Sequence, residues 1–297
     1  MGRITVSLLA ACLALPALAG DPDPQPGLTA AQVVEKNVAA RGGLDAWRKI
    51  QTMAWAGHIE SGNAPGAALP FLLEMKRPNK TRFEIHVENQ KSVRMYDGTH
   101  GWKLRPTREG YPDFQPFTAA ELSYARDGQG IDGPLMDYQA KGVSVALDGV
   151  DEVDGNKAYR LSVRLPSGAS HHVWIDAKSF LDIKSDREAR NAFGMSGTVL
   201  VYYRDYRTID GLQIPFLIES GGDAGKTTDK MVIDKIALNP PLEDWMFAKP
   251  RMPGPHNVNW PALNTPQVAR PVWPGSHVNP ARYGSRPAFL PGSADVH

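Results

Sequence analysis

Between residues 52 and 238 the side chains change character at nearly every second position, and few architectures tolerate that pattern over so long a run. Phe83, Ile85 and Val87 alternate with Arg82, Glu84, His86 and Glu88; Tyr159, Leu161, Val163 and Leu165 alternate with Arg160, Ser162 and Arg164. A period of two is that of a strand with one face turned away from water. The alternation is less regular in Met53 to Ile59, Phe71 to Lys76, Lys91 to Tyr96, Val143 to Leu147, His172 to Asp176, Leu181 to Ser185, Gly197 to Tyr206, Leu212 to Glu219 and Lys230 to Leu238. Short spacers such as Pro78-Asn79, Asn89-Gln90, Asp97-Gly98, Asp154-Gly155 and Ser167-Gly168 separate many of these runs. Connections this short can only be hairpins, so the pattern predicts an antiparallel meander of about ten to eleven strands. A twisted sheet of that size has to curl or close.

Helical signals are few. Thr29 to Gln32 forms a capping box ahead of Val33, Val34 and Val38, and Gly42-Gly43 stops that helix. A short helix from Leu44 to Ile50 carries Trp47, and Thr118 to Arg126, with Glu121 at its third position, predicts a helix inserted mid-sheet. The Gly-rich stretch Asp127 to Pro134 reads as a mobile loop. The fold class is therefore mainly β with a few helices (α+β), a curved antiparallel half-barrel covered by helices. So few helices leave part of the concave face unfilled, which suits an apolar cavity for small or acyl ligands. The pattern alone equally admits a packed sandwich.

The two ends differ from the middle. Residues 1–19 carry one basic residue, an apolar run and Ala17-Leu18-Ala19, the layout of a cleaved export signal, so mature protein is expected from Gly20. A lipoprotein-type cut before Cys12 fits less well, because the segment before it is short and the residues after it stay apolar. Cys12 is the sole cysteine, so the exported form would lack disulfides and thiolate chemistry. Losing Arg3 balances the charge at 32 basic against 32 acidic residues. A neutral chain without basic runs excludes nucleic acid as a partner. No other stretch approaches the ~20 apolar residues of a membrane span, so a soluble periplasmic protein is expected. Residues 20–250 form the domain, and 251–297 read as a Pro-rich arm with polyproline character.

Candidate chemistry fails on spacing. In Gly221 to Thr227, Ser220 stands where a phosphate loop needs its first glycine, and the context is strand-loop-strand. His171 and His172 are adjacent on a strand and point to opposite faces, so they cannot share a metal. Asp148 to Gly155 lacks the alternating ligands of a calcium loop, and Gly194 to Gly197 lacks a nucleophile elbow. No catalytic residue, metal ligand or cofactor is assigned, and the chain is not read as an enzyme.

In "YRDYRTIDGLQIPFLIES", residues 203–220, Asp210-Gly211 joins two strands. A strict two-residue turn aligns Asp205 and Arg207 with the apolar set Leu212, Ile214, Phe216 and Ile218. A bulge would align Tyr202, Arg204, Tyr206 and Thr208 instead, and is favoured because it turns fewer charges inward.

Three segments carry a family resemblance: Lys76-Arg77-Pro78-Asn79-Lys80-Thr81-Arg82-Phe83, Tyr96-Asp97-Gly98-Thr99-His100-Gly101-Trp102, and Asp244-Trp245-Met246-Phe247-Ala248-Lys249-Pro250. In order and placement they resemble the LolA/LolB-like superfamily of periplasmic outer-membrane lipoprotein carriers, over roughly residues 28 to 250. The resemblance implies an unclosed barrel lidded by helices, whose interior shelters acyl chains during lipoprotein sorting. It also implies that Arg77 ties the lid shut. The resulting expectation is a carrier or chaperone for acylated lipoprotein or lipid cargo, with Trp55, Phe83, Ile85, Met95, Trp102, Leu161, Val163 and Phe216 as candidate cavity residues. The alternative is a lipid- or lipoprotein-sensing module acting on a membrane-protein partner.

Overall fold

The computed structural model describes residues 27–62, 66–87, 90–106, 112–128, 130–190, 196–222 and 227–249. The expected export signal, the Pro-rich arm and most of the Gly221–Thr227 loop lie outside the described residues.

The first half of the chain supplies β1 (Thr52–Ser61), β2 (Ala68–Lys76), β3 (Lys80–Val87), β4 (Gln90–Tyr96), β5 (Gly101–Pro106) and β6 (Pro112–Pro116). The second supplies β7 (Ser144–Val153), β8 (Asn156–Arg164), β9 (Ser170–Asp176), β10 (Asp182–Arg190), β11 (Ser196–Ile209), β12 (Leu212–Gly222) and β13 (Thr227–Leu238). All belong to one unclosed, curved antiparallel sheet in the order β6-β5-β4-β3-β2-β1-β13-β12-β11-β10-β9-β8-β7. The thirteen strands exceed the sequence expectation through β5 and β6. β6 is five residues long and begins and ends on proline, which hides its period and suits the sheet edge it occupies.

Two meanders are thus joined at β1 and β13, leaving β6 and β7 as the outer edges. These two strands are consecutive in sequence yet stand at opposite edges. The connection between them therefore has to travel the whole width of the sheet. It does so as α3 (Ala119–Asp127) followed by the turns of residues 130–142. The same face carries α1 (Ala30–Ala40) and α2 (Leu44–Arg48). α1 lays Val33 and Val34 over Tyr159, Leu161, Val163, Val173 and Ile175, and α2 lays Trp47 over Met53, Met75, Leu212 and Ile214. Both capping boxes form: Thr29 with Gln32, and Thr118 with Glu121.

Two expectations need correction. The stretch after α3 is not a loose loop, because Ile131, Asp132, Leu135 and Met136 are buried and the apolar three insert into the cores under α1 and α2. Nor does the hairpin carry a bulge. Its pairs keep one offset from Ile209 opposite Leu212 to Val199 opposite Gly222, around a two-residue turn with positive φ at Asp210 (47°) and Gly211 (84°). The two charges that argued for a bulge avoid burial without one. Asp205 leaves the ladder at φ 51°, and Arg207 pairs with it at 2.6 Å and lies over the Phe216 ring at 4.3 Å. The side chains of Arg207 and Asp205 stay 53% and 47% exposed. The hairpin tip docks on the α1–α2 link, where Gln213 N–H donates to the Arg41 carbonyl at 3.1 Å.

Candidate binding face and its lid

Register decides which sequence candidates share a face. Trp55 pairs with Leu73 and Leu73 with Phe83, while Phe71 pairs with Ile85, so Trp55, Phe83 and Ile85 stand together on the helix-bearing face. Ile59, Leu69, Phe71, Ile85, Phe216 and Ile233 form a buried floor there, with Trp55, Leu73, Phe83, Ile218, Met231 and Ile236 half-buried around it. Among the described residues every member of this cluster apart from Ala67 comes from a strand, and no helix residue takes part. Trp55, Leu73 and Ile236 also touch the cluster under α2; Phe83, Ile218 and Met231 do not.

The other candidates sit elsewhere. Leu161 and Val163 are fully buried beneath α1, where they serve the core. Met95 and Trp102 were expected with Phe83, but Met95 pairs with Arg82 and with Trp102, which puts both on the opposite face with Val93 and Leu104. Adjacent strand residues point to opposite faces, and the sequence around the β3–β4 turn did not reveal which parity β4 takes. On the helix-bearing face β4 and β5 instead present Arg94 and Lys103. These hold Glu121 of α3 at 2.9 and 3.2 Å.

Besides the insertion of Ile131, Leu135 and Met136, the crossover is fastened by polar contacts. Arg77 donates from Nε to the Ile50 carbonyl at 2.7 Å and from Nη2 to the Trp47 carbonyl at 3.0 Å and to Asp132 Oδ2 at 2.6 Å. Lys141 Nζ donates to Asp132 Oδ1 at 2.6 Å, and Arg41 Nη1 to the Asp132 carbonyl at 3.2 Å. Burial holds the Lys141 ammonium below its ordinary range, with Asp132 opposing that effect and Arg77 and Arg41 adding to it. At the other end of α3, Asn79 Nδ2 caps the carbonyls of Ala125 and Arg126 at 3.1 and 3.0 Å. Tyr124 lies under the Arg187 guanidinium of β10 at 5.1 Å, so α3 reaches from β5 across to the second meander. Asp132 and Lys141 were not singled out in the sequence. The Asp132 contact with Arg77 spans 55 residues, and no local pattern signals it.

Between these anchors lies an open cleft of about 490 Å³, lined by Gln51, Arg77, Pro78, Asn79, Arg126, Asp132 and Lys141. It is the polar rim of the crossover, distinct from the apolar floor.

Neither a family model nor a curated protein matches the sequence. Similar solved structures include a LolA superfamily protein from Nitrosomonas europaea, 14% identical, with 75% of this chain and 98% of that chain covered at a TM-score of 0.48. A DUF1329 family protein from Desulfovibrio piger is 13% identical, with 74% and 97% covered at a TM-score of 0.48. A domain from Vibrio parahaemolyticus described as outer membrane lipoprotein-sorting is 10% identical, with 73% and 94% covered at 0.47. Among the described residues no helix is long and apolar enough to cross a membrane.

Proposed function

We propose that the protein is a periplasmic carrier that shelters acyl chains of lipoproteins or lipids between the apolar floor and the crossover. The observation that carries this reading is the floor itself. Phe83, Ile218 and Met231 are half-buried side chains in a cluster to which, among the described residues, no helix contributes, on the sheet face that also carries the crossover. Each methylene moved from water to such a surface gains about 0.8 kcal/mol, so a chain of ten or more carbons has a large incentive to enter once the crossover lifts. On opening, the polar part of the fastening is partly offset by exchange with water, while Ile131, Leu135 and Met136 have to leave the cores under α1 and α2.

Titration of the purified protein with a fluorescent fatty-acid probe tests the reading. Phe83→Asp is expected to weaken binding at least tenfold, whereas Trp102→Ala, on the opposite face, leaves it unchanged. Equal binding by wild type and Phe83→Asp would remove the floor from the ligand path, and a wild type that takes up no probe would sink the carrier reading.

A further inference from the structure

The rim cleft holds more positive charge than its own carboxylate can use. Three cations line it, Arg77, Arg126 and Lys141, against the single carboxylate of Asp132. Both Asp132 oxygens are already engaged, Oδ1 by Lys141 and Oδ2 by Arg77. Arg126, at the C-terminal end of α3, is exposed and lies beside the Tyr96 hydroxyl, whose pKa burial raises and Arg126 counteracts. The cleft's volume exceeds that of a phosphate group several times over. Its walls are fixed: Arg77 is oriented by two backbone carbonyls, and Asn79 by the two it caps. Asn79 Oδ1 is buried and has no hydrogen-bond partner among the described residues. The depressed Lys141 ammonium also marks a place where further negative charge would be stabilising.

We propose that this cleft binds a phosphate ester, as in a phospholipid headgroup, with Arg126, Arg77 and Lys141 as its cationic contacts. Guanidinium groups match phosphate oxygens in a two-pronged geometry, and two of the three cations here are arginines. The site lies where the crossover meets the β2–β3 turn, so a phosphate on Arg77 and Lys141 competes with Asp132 for the same donors. Headgroup binding and release of the crossover are thereby coupled. The proposal rests on the carrier reading only for the source of the phosphate.

The test is calorimetric titration of the full chain with three probes: monomeric dihexanoyl phosphatidylglycerol, the matching neutral dihexanoylglycerol, and inorganic phosphate. Arg126 is exposed, so Arg126→Gln should fold as wild type does, checked by its thermal midpoint. The variant is expected to bind the phospholipid at least tenfold more weakly than wild type while binding the neutral lipid equally, and Arg126→Lys should recover part of the loss. Inorganic phosphate binding as tightly as the phospholipid, with the same dependence on Arg126, would keep the site but make free phosphate its ligand, overturning the headgroup assignment. Phospholipid binding that ignores Arg126→Gln overturns the site and leaves the carrier reading standing. If no lipid binds but phosphate does and requires Arg126, the carrier reading fails and the anion site survives.

Discussion

Asp132→Ala is the most informative single perturbation, since it removes the carboxylate on which Arg77 and Lys141 converge. The Asp132 side chain is 5% exposed, and its two charged partners are 24% and 21% exposed. Deleting one member of a buried ion pair costs about 3–5 kcal/mol, but two partners that still reach water can rehydrate, which lowers the figure to about 2–3 kcal/mol. The crossover does not fall open as a result. Ile131, Leu135 and Met136 remain inserted in the cores under α1 and α2, and each is worth about 1.5–3 kcal/mol. The expected outcome is faster transient opening: at one factor of ten per 1.4 kcal/mol, amide exchange across residues 130–136 should accelerate roughly 30- to 150-fold. Any part of the loss shared with global unfolding lowers the thermal midpoint by about 2–4 °C per kcal/mol. Asp132→Asn keeps an acceptor oxygen and should fall between wild type and Ala. Unchanged exchange in this segment together with an unchanged midpoint for Asp132→Ala would refute the latch.

Further outcomes follow from the same contacts. The Glu121 carboxyl lies below its ordinary value of 4.5: burial works to raise it, and the Thr118 N–H with Arg94 and Lys103 outweighs that. Since the folded pKa is depressed, the stabilisation is complete above about 4.5 and is lost as pH falls through the folded value, so α3 should loosen on acidification and Glu121→Gln should flatten that response in amide exchange. Thr118→Ala should cost about 1 kcal/mol of helix stability, seen as faster exchange confined to α3, a helix with no buried residue of its own. Gly42 has φ +110°, and a Cβ there would stand 2.5 Å from the Gly211 carbonyl oxygen, so Gly42→Ala should lower the thermal midpoint by several degrees through strain where the hairpin tip docks. A midpoint within a degree of wild type would show that the tip is not held against the α1–α2 link.

Features that depend on neighbours along the chain are legible in the amino-acid order. The period of two in Arg82 to Glu88 and Tyr159 to Leu165 marked strands, Asp210-Gly211 marked a hairpin, and the Thr29 and Thr118 caps marked helix starts, all of them local chemistry. The two strands beyond eleven are β5 and β6, and in β6 prolines at both ends mask the alternation. Which face each strand shows is settled only in the folded sheet. Parity cost the placement of Met95 and Trp102, since one residue more or less at a turn exchanges every side chain between faces. It also decided that charges at Arg207 and Asp205 could share the register of Phe216 and still stay in water, through one left-handed residue. The crossover is a matter of topology. Because β6 and β7 end at opposite edges, residues 117–143 must span the concave face, and that path brings Asp132 to Arg77 and Lys141. Contacts formed by closing a loop of this length leave no trace in local pattern, because their partners meet only after the sheet has curved.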